Sequence, residues 1–139
     1  MNMNNIVIGY DDSPAARRAL ERAATLARAF GSHLVVTSVA PVTSSAASRS
    51  LGADPADTAA EHRQELEKAR SYLDEQGLTA EYVEAVGHPA DSIVAAAEQH
   101  GADLIVVGTR EPGFMERLLG SSVSDSVSHR AHCDVLIVH

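Results

Sequence analysis

The stretch LIVVGTREPGFMERLLGSS, residues 104–122, decides how the rest of the chain is read. It opens with Leu104, Ile105, Val106 and Val107, an apolar run too short for a helix and rich in β-branching, which predicts a buried strand. Gly108 ends that strand, and a loop carrying Arg110, Glu111, Pro112 and Gly113 follows. After Gly120, Ser121 and Ser122 comes VSDSVSHRA. Ser122 and Asp125 have the spacing of a capping box, so a helix is expected to start there. A strand, a glycine-containing loop and a helix N-terminus form a candidate anion cradle, because free N–H groups and the helix dipole face the loop. The same residues also suit a plain β–α connection whose serines only cap the helix.

Upstream, the same alternation repeats. NIVIGY at 5–10 predicts the first strand, and DDSP follows with Ser13 as N-cap and Pro14 as the first helical residue. That helix is expected to reach Phe30, with Ala16, Ala19, Leu20, Ala23, Ala27 and Phe30 inward and Arg17, Arg18, Arg22 and Arg28 on the wet side. Gly31 closes it. HLVVTSV at 33–39 predicts the second strand. The small, polar run PVTSSAASRSLGADP predicts a mobile surface loop over about 42–55. A second helix is expected over 56–75, with Leu66, Ala69 and Leu73 inward, and an alternating third strand over 79–86. Gly87, His88 and Pro89 turn into a third helix reaching about residue 100. The fourth strand (103–107), the fourth helix (122–132) and a fifth strand (134–138) complete the pattern. Regular β–α alternation with apolar strands predicts an α/β fold, a parallel sheet covered by helices on both faces. Ligands of such sheets lie beyond the carboxyl ends of the strands, at the switch in strand order. Asp11 and Asp12 follow strand one, and Gly108 and its loop follow strand four.

Composition narrows the function. A chain of 139 residues is expected to form one domain spanning 1–139, and 45% hydrophobic with 22% charged residues is ordinary globular composition. A formal charge of −8 disfavours nucleic acid, which needs a basic surface. No apolar run approaches the roughly 18 residues needed to span a membrane. MNMNNIVIGY lacks the features of a signal peptide. A single cysteine, Cys133, excludes an internal disulfide and fits a reducing cytoplasm. Lys68 is the only lysine and lies in the solvated stretch EHRQELEKARSYL, so a phosphate-loop, Schiff-base or serine-activating lysine is not expected.

Other chemistries fit less well. A phosphoacceptor domain needs an aspartate after strand three and a lysine after strand five, and this chain has neither. An ATP-pyrophosphatase loop needs a serine and two glycines that GYDDS lacks. His129, His132 and Cys133 have helical spacing for a metal but no evident fourth ligand. No Ser-His-Asp set stands out among seven histidines.

Four ordered segments resemble the universal stress protein family: GYDDSPAARRAL, VGHPADSIVAAA, GADLIVVGTR and SVSDSVSHRAHCDVLIVH. The resemblance covers residues 5–139. It implies a single doubly wound, Rossmann-like sheet of the adenine nucleotide alpha hydrolase type, with strand order 3-2-1-4-5. It also implies a cytoplasmic, non-catalytic stress-response homodimer with at most very weak ATP hydrolysis. Some members bind ATP or cyclic AMP, so the cofactor implied is ATP, AMP or another adenine nucleotide, with magnesium only alongside it. Carried onto this chain, the site lies between the ends of strands one and four. It comprises Gly9, Tyr10, Asp11, Val39, Val107, Gly108, Arg110, Glu111, Gly120, Ser121 and Ser122. Asp11 and Val39 match the adenosine-side positions. The family pattern is a glycine, two residues, a glycine, nine residues, then glycine and serine or threonine. Here it reads Gly108, Glu111 and Ser121-Ser122, or Gly120-Ser121 with one residue fewer, so the glycine motif is degenerate. The alternative is a nucleotide-free interaction homodimer of the same fold. In either case the dimer is expected through the last strand, Val135, Leu136, Ile137 and Val138, an apolar edge that pairing across a two-fold axis would protect.

Overall fold

The computed structural model describes residues 3–40, 55–109 and 123–139. Nine elements alternate along them: β1 (Asn5–Gly9), α1 (Pro14–Phe30), β2 (His33–Ala40), α2 (Pro55–Glu75), β3 (Ala80–Val86), α3 (Pro89–Gln99), β4 (Leu104–Gly108), α4 (Val123–Arg130) and β5 (Asp134–Val138). The five strands form one sheet in the order β3-β2-β1-β4-β5, and every neighbouring pair is parallel. The order reverses at β1, so the switch point lies between β1 and β4, as expected for a doubly wound α/β sheet.

The period-two alternation of the strands divides the core. Ile6, Ile8, Leu34, Val36, Leu104 and Val106 pack with α1 and α2 on one face. Val7, Val35, Ile105 and Val107 pack with α3 and α4 on the other. On α1 the inward residues are mostly alanines, which lets the helix lie close to the sheet. On α2 the buried stripe is narrow: Leu66, Ala69 and Leu73. Arg130 of α4 pairs with Asp91 of α3.

Two expectations need correction here. Phe30 is 51% exposed rather than inward. It is the last residue of α1, and Gly31 at φ 67° turns the chain away before the ring can reach the sheet. The expected clean alternation of β3 is also broken, because Tyr82 and Val83 are both half-buried on this edge strand. The loop expected over about 42–55 lies outside the described residues up to 54, as does Ser122, the expected cap of α4.

Candidate functional site

The sequence-predicted residues that the structure describes lie at or next to the carboxyl ends of β1, β2 and β4. Gly9 ends β1 opposite Thr37 of β2, and the N–H of Tyr10 donates to the Thr37 carbonyl at 2.9 Å. Val39 is half-buried two residues further along β2. Val107 is buried in the core beneath α3 and α4, and Gly108 closes β4. Asp11 is exposed at the crest of the β1–α1 connection, where its Oδ1 accepts from the Ser13 N–H at 3.0 Å. Ser13 then caps α1, its hydroxyl accepting from the Ala16 N–H at 3.1 Å. Arg110, Glu111, Gly120, Ser121 and Ser122 lie outside the described residues.

A close approach of backbones brings the two rims together. A Cβ placed on Gly108 would lie 2.5 Å from the carbonyl carbon of Ala15 and 2.6 Å from its oxygen. The first turn of α1 therefore rests on the end of β4 only because position 108 has no side chain. Gly9 is similarly crowded, but there the obstacle is the Cδ1 of Ile93, at 2.6 Å.

Tyr10 turns the other way. Its ring is buried in the core under α1 and α2, and its hydroxyl donates to Asp12 Oδ1 at 2.9 Å. Burial, and then that hydrogen bond, pushes the Tyr10 phenol well above its ordinary range. Asp12 has a left-handed φ of 59°, which aspartate tolerates better than most residues. Burial works against the charge of Asp12. Hydrogen bonds from Lys68 and Tyr10, with the charges of Lys68 and Arg17, outweigh it and hold the carboxyl below its ordinary value.

Lys68 lies at the surface, as its solvated stretch implied, but it has a partner on another element. Its stem is largely exposed, but its Nζ sits 2.8 Å from Asp12 Oδ2. It lines an open cavity of about 370 Å³ between α1 and α2, with Tyr10, Arg17, Leu20 and Tyr72 among its neighbours. Arg17, expected on the wet side, also reaches Asp12: its Nε is 3.4 Å from Oδ1 and it donates to the Asp12 carbonyl. Sequence reasoning missed both partners, because nothing in the helical spacing shows which exposed cation reaches across.

A second polar group was also missed. Ser38 is buried on β2, with its hydroxyl 3.0 Å from His62 Nδ1 and 3.3 Å from Glu65 Oε2. His62 Nδ1 and Glu65 Oε2 are themselves 3.0 Å apart. Burial raises the Glu65 carboxyl above its ordinary value, against the opposing pull of His62 and Ser38. A serine, a histidine and an acid invite comparison with a nucleophile relay, but a relay uses both ring nitrogens in series. Here serine and carboxylate share one nitrogen, so the arrangement differs from that relay and ties α2 to β2. The i, i+3 pair His62–Glu65 was its one sequence signal. Among the described residues, no group of histidine, cysteine and acidic side chains is arranged to hold a metal. His132 pairs with Glu98 at 3.1 Å, and burial, with Asp134 and Asp103, pushes the Cys133 thiol up.

No helix among the described residues is long and apolar enough to cross a membrane. The profile described as the universal stress protein family matches residues 2–139. A universal stress protein of Methanocaldococcus jannaschii is 33% identical over 136 residues, covering 96% of this chain and 80% of that protein. Among solved structures, a universal stress protein in complex with cAMP is 30% identical with a TM-score of 0.77, over 100% of this chain and 99% of the other. The universal stress protein from Archaeoglobus fulgidus in complex with dAMP is 26% identical with a TM-score of 0.76, over the full length of both chains. Sheet order and full-length similarity agree, and the chain belongs to the universal stress protein family.

Proposed function

We propose that this protein is a non-catalytic, cytoplasmic stress-response regulator that binds an adenine nucleotide at the carboxyl rim between β1 and β4. One observation carries the proposal: Asp11, Val39 and Gly108 all fall at or next to the carboxyl ends of β1, β2 and β4, in a fold shared with the cAMP and dAMP complexes. The residues fit the nucleoside half of such a ligand. Asp11 is exposed and has one carboxylate oxygen held by Ser13, so the other is available to accept from adenosine hydroxyls or the amino group. Val39 offers an apolar side to a base. The fully buried Thr37 hydroxyl lacks a partner among the described residues, at the pairing position of Gly9, which suits a rim completed by a small polar group. The polyphosphate half would fall to Arg110, Glu111, Gly120, Ser121 and Ser122, with magnesium entering only with the nucleotide.

Glu111 stands where the family pattern has a glycine, and its charge opposes polyphosphate. Two like charges about 4 Å apart cost roughly 1 kcal/mol in water and up to about 4 at a protein surface. AMP and cyclic AMP are therefore expected to compete better against ATP than at a complete glycine loop. In calorimetric titrations Glu111→Gly should strengthen ATP binding by about tenfold or more. Asp11→Ala should weaken ATP, AMP and cyclic AMP alike. Tight ATP binding that Glu111→Gly leaves unchanged would refute the charge argument. If no adenine nucleotide binds at millimolar concentration, the nucleotide-free interaction dimer is the better reading.

In both readings the homodimer forms through β5. Val135, Leu136 and Ile137 are only half-buried on this edge strand, which leaves apolar area and unpaired backbone groups for a second copy. Light scattering at micromolar concentration should give a dimer for the wild type and a monomer for Val135→Lys. A wild-type monomer would remove the interface.

A further inference from the structure

The residue beside Asp11 is gripped from two helices. Asp12 Oδ1 accepts from the Tyr10 hydroxyl at 2.9 Å, and Oδ2 accepts from Lys68 Nζ at 2.8 Å. Its carbonyl oxygen accepts from Arg17 Nε and Nη2 at 3.3 and 3.2 Å. The peptide that begins with this carbonyl carries the Ser13 N–H, and that N–H holds Asp11 Oδ1 at 3.0 Å. A chain of contacts thus runs from α2 through Asp12 to the Asp11 carboxylate. Tyr10 and Arg17 belong to the same β1–α1 unit as Asp12, whereas Lys68 reaches in from α2. Its anchor is firm, because the next residue, Ala69, is fully buried. The left-handed φ of Asp12 is tolerated rather than preferred, so the connection keeps this shape only while its partners hold it.

We propose that Lys68, acting through Asp12, is a positioning residue for the Asp11 carboxylate of the adenine-nucleotide site. This rests on the nucleotide reading given above and adds a residue from α2 to it. A partly exposed ion pair contributes little to global stability. Loss of Lys68 therefore registers at Asp11 rather than in the melting temperature.

The test uses the full chain and adenosine, a neutral probe that reports the nucleoside side alone. Calorimetry is run on wild type, Lys68→Met, Lys68→Arg, Asp11→Ala and the Lys68→Met/Asp11→Ala double variant. Lys68→Met should weaken adenosine binding by about threefold to fivefold, the change such a pair can carry. Lys68→Arg should restore it to within about twofold, with melting temperatures alike. The double variant should bind no more weakly than Asp11→Ala alone, because the effect of Lys68 passes through that carboxylate. Raising the ionic strength to about 1 M, where the screening length is about 3 Å, should reproduce the loss in unmodified protein. Additive losses in the double variant would overturn the proposal. So would an unchanged Lys68→Met in a protein that Asp11→Ala cripples. If Asp11→Ala has no effect, or the wild type binds no adenosine at millimolar concentration, the nucleotide reading itself fails and the positioning role fails with it.

Discussion

Gly108→Ala is expected to destabilise the fold by about 3 kcal/mol, lowering the melting temperature by roughly 10 °C for a chain of this size. The new Cβ would meet backbone atoms of Ala15 at 2.5 and 2.6 Å and the Ala15 Cβ at 2.9 Å. Backbone cannot rotate out of the way, so the first turn of α1 must lift from β4. That turn carries the Ser13 cap and follows directly from Asp11 and Asp12, so the rim is distorted as well as the fold. Gly9→Ala is the matched control. Its nearest obstacle is the far end of the Ile93 side chain, which can change rotamer, so the expected loss is about 1 kcal/mol. Chemical denaturation of the two variants should rank them in that order. Equal losses would mean that α1 does not sit on β4 as closely as described.

Leu73→Ala is expected to cost about 3 kcal/mol, within the usual range for a buried leucine. Leu73 is fully buried and is the more deeply buried of the two leucines in the stripe that seats α2, which it shares with Leu66 and Ala69. The rest of the described helix is largely charged or polar, so little else can compensate. The loss should be local before it is global, with amides of α2 exchanging faster than those of α1 at equal denaturant. Because α2 carries His62, Glu65 and Lys68, the ties to Ser38 and Asp12 should loosen with it. Protection in α2 matching the wild type would show that the helix is held by something other than this stripe.

The fold was legible because its signals are local and repeated. Short β-branched strands, Ser13 with Pro14, and glycines at helix ends each specify an element without reference to distant residues. The strand order came from the family resemblance, since alternation alone does not say where the sheet reverses. The site was legible only in part. Asp11 and Gly108 stood out as candidates because they lie at or just after strand ends, whereas Val39 was named only through the family resemblance. Lys68 and Arg17 were read as solvent-facing because their charged ends do lie at the surface, and helical periodicity cannot reveal a partner on another element. Phe30 failed for the opposite reason: its spacing was right, but the helix stopped beneath it. The glycine loop falls within residues 110–122, where the degenerate motif stays a matter of sequence.

The Tyr10–Asp12 contact gives the protein an optical property. The chain has three tyrosines and no tryptophan, so near-ultraviolet emission comes from the phenols alone. Tyr82 lies under the Arg70 guanidinium, 4.6 Å from its ring centroid, away from the cavity. Tyr10 and Tyr72 both line the open cavity that Lys68 also lines. A phenol hydrogen-bonded to a carboxylate has a ready path for excited-state proton transfer, which darkens it. Tyr10 is therefore expected to emit weakly beside Asp12, and Asp12→Asn is expected to raise the emission of the unlabelled protein.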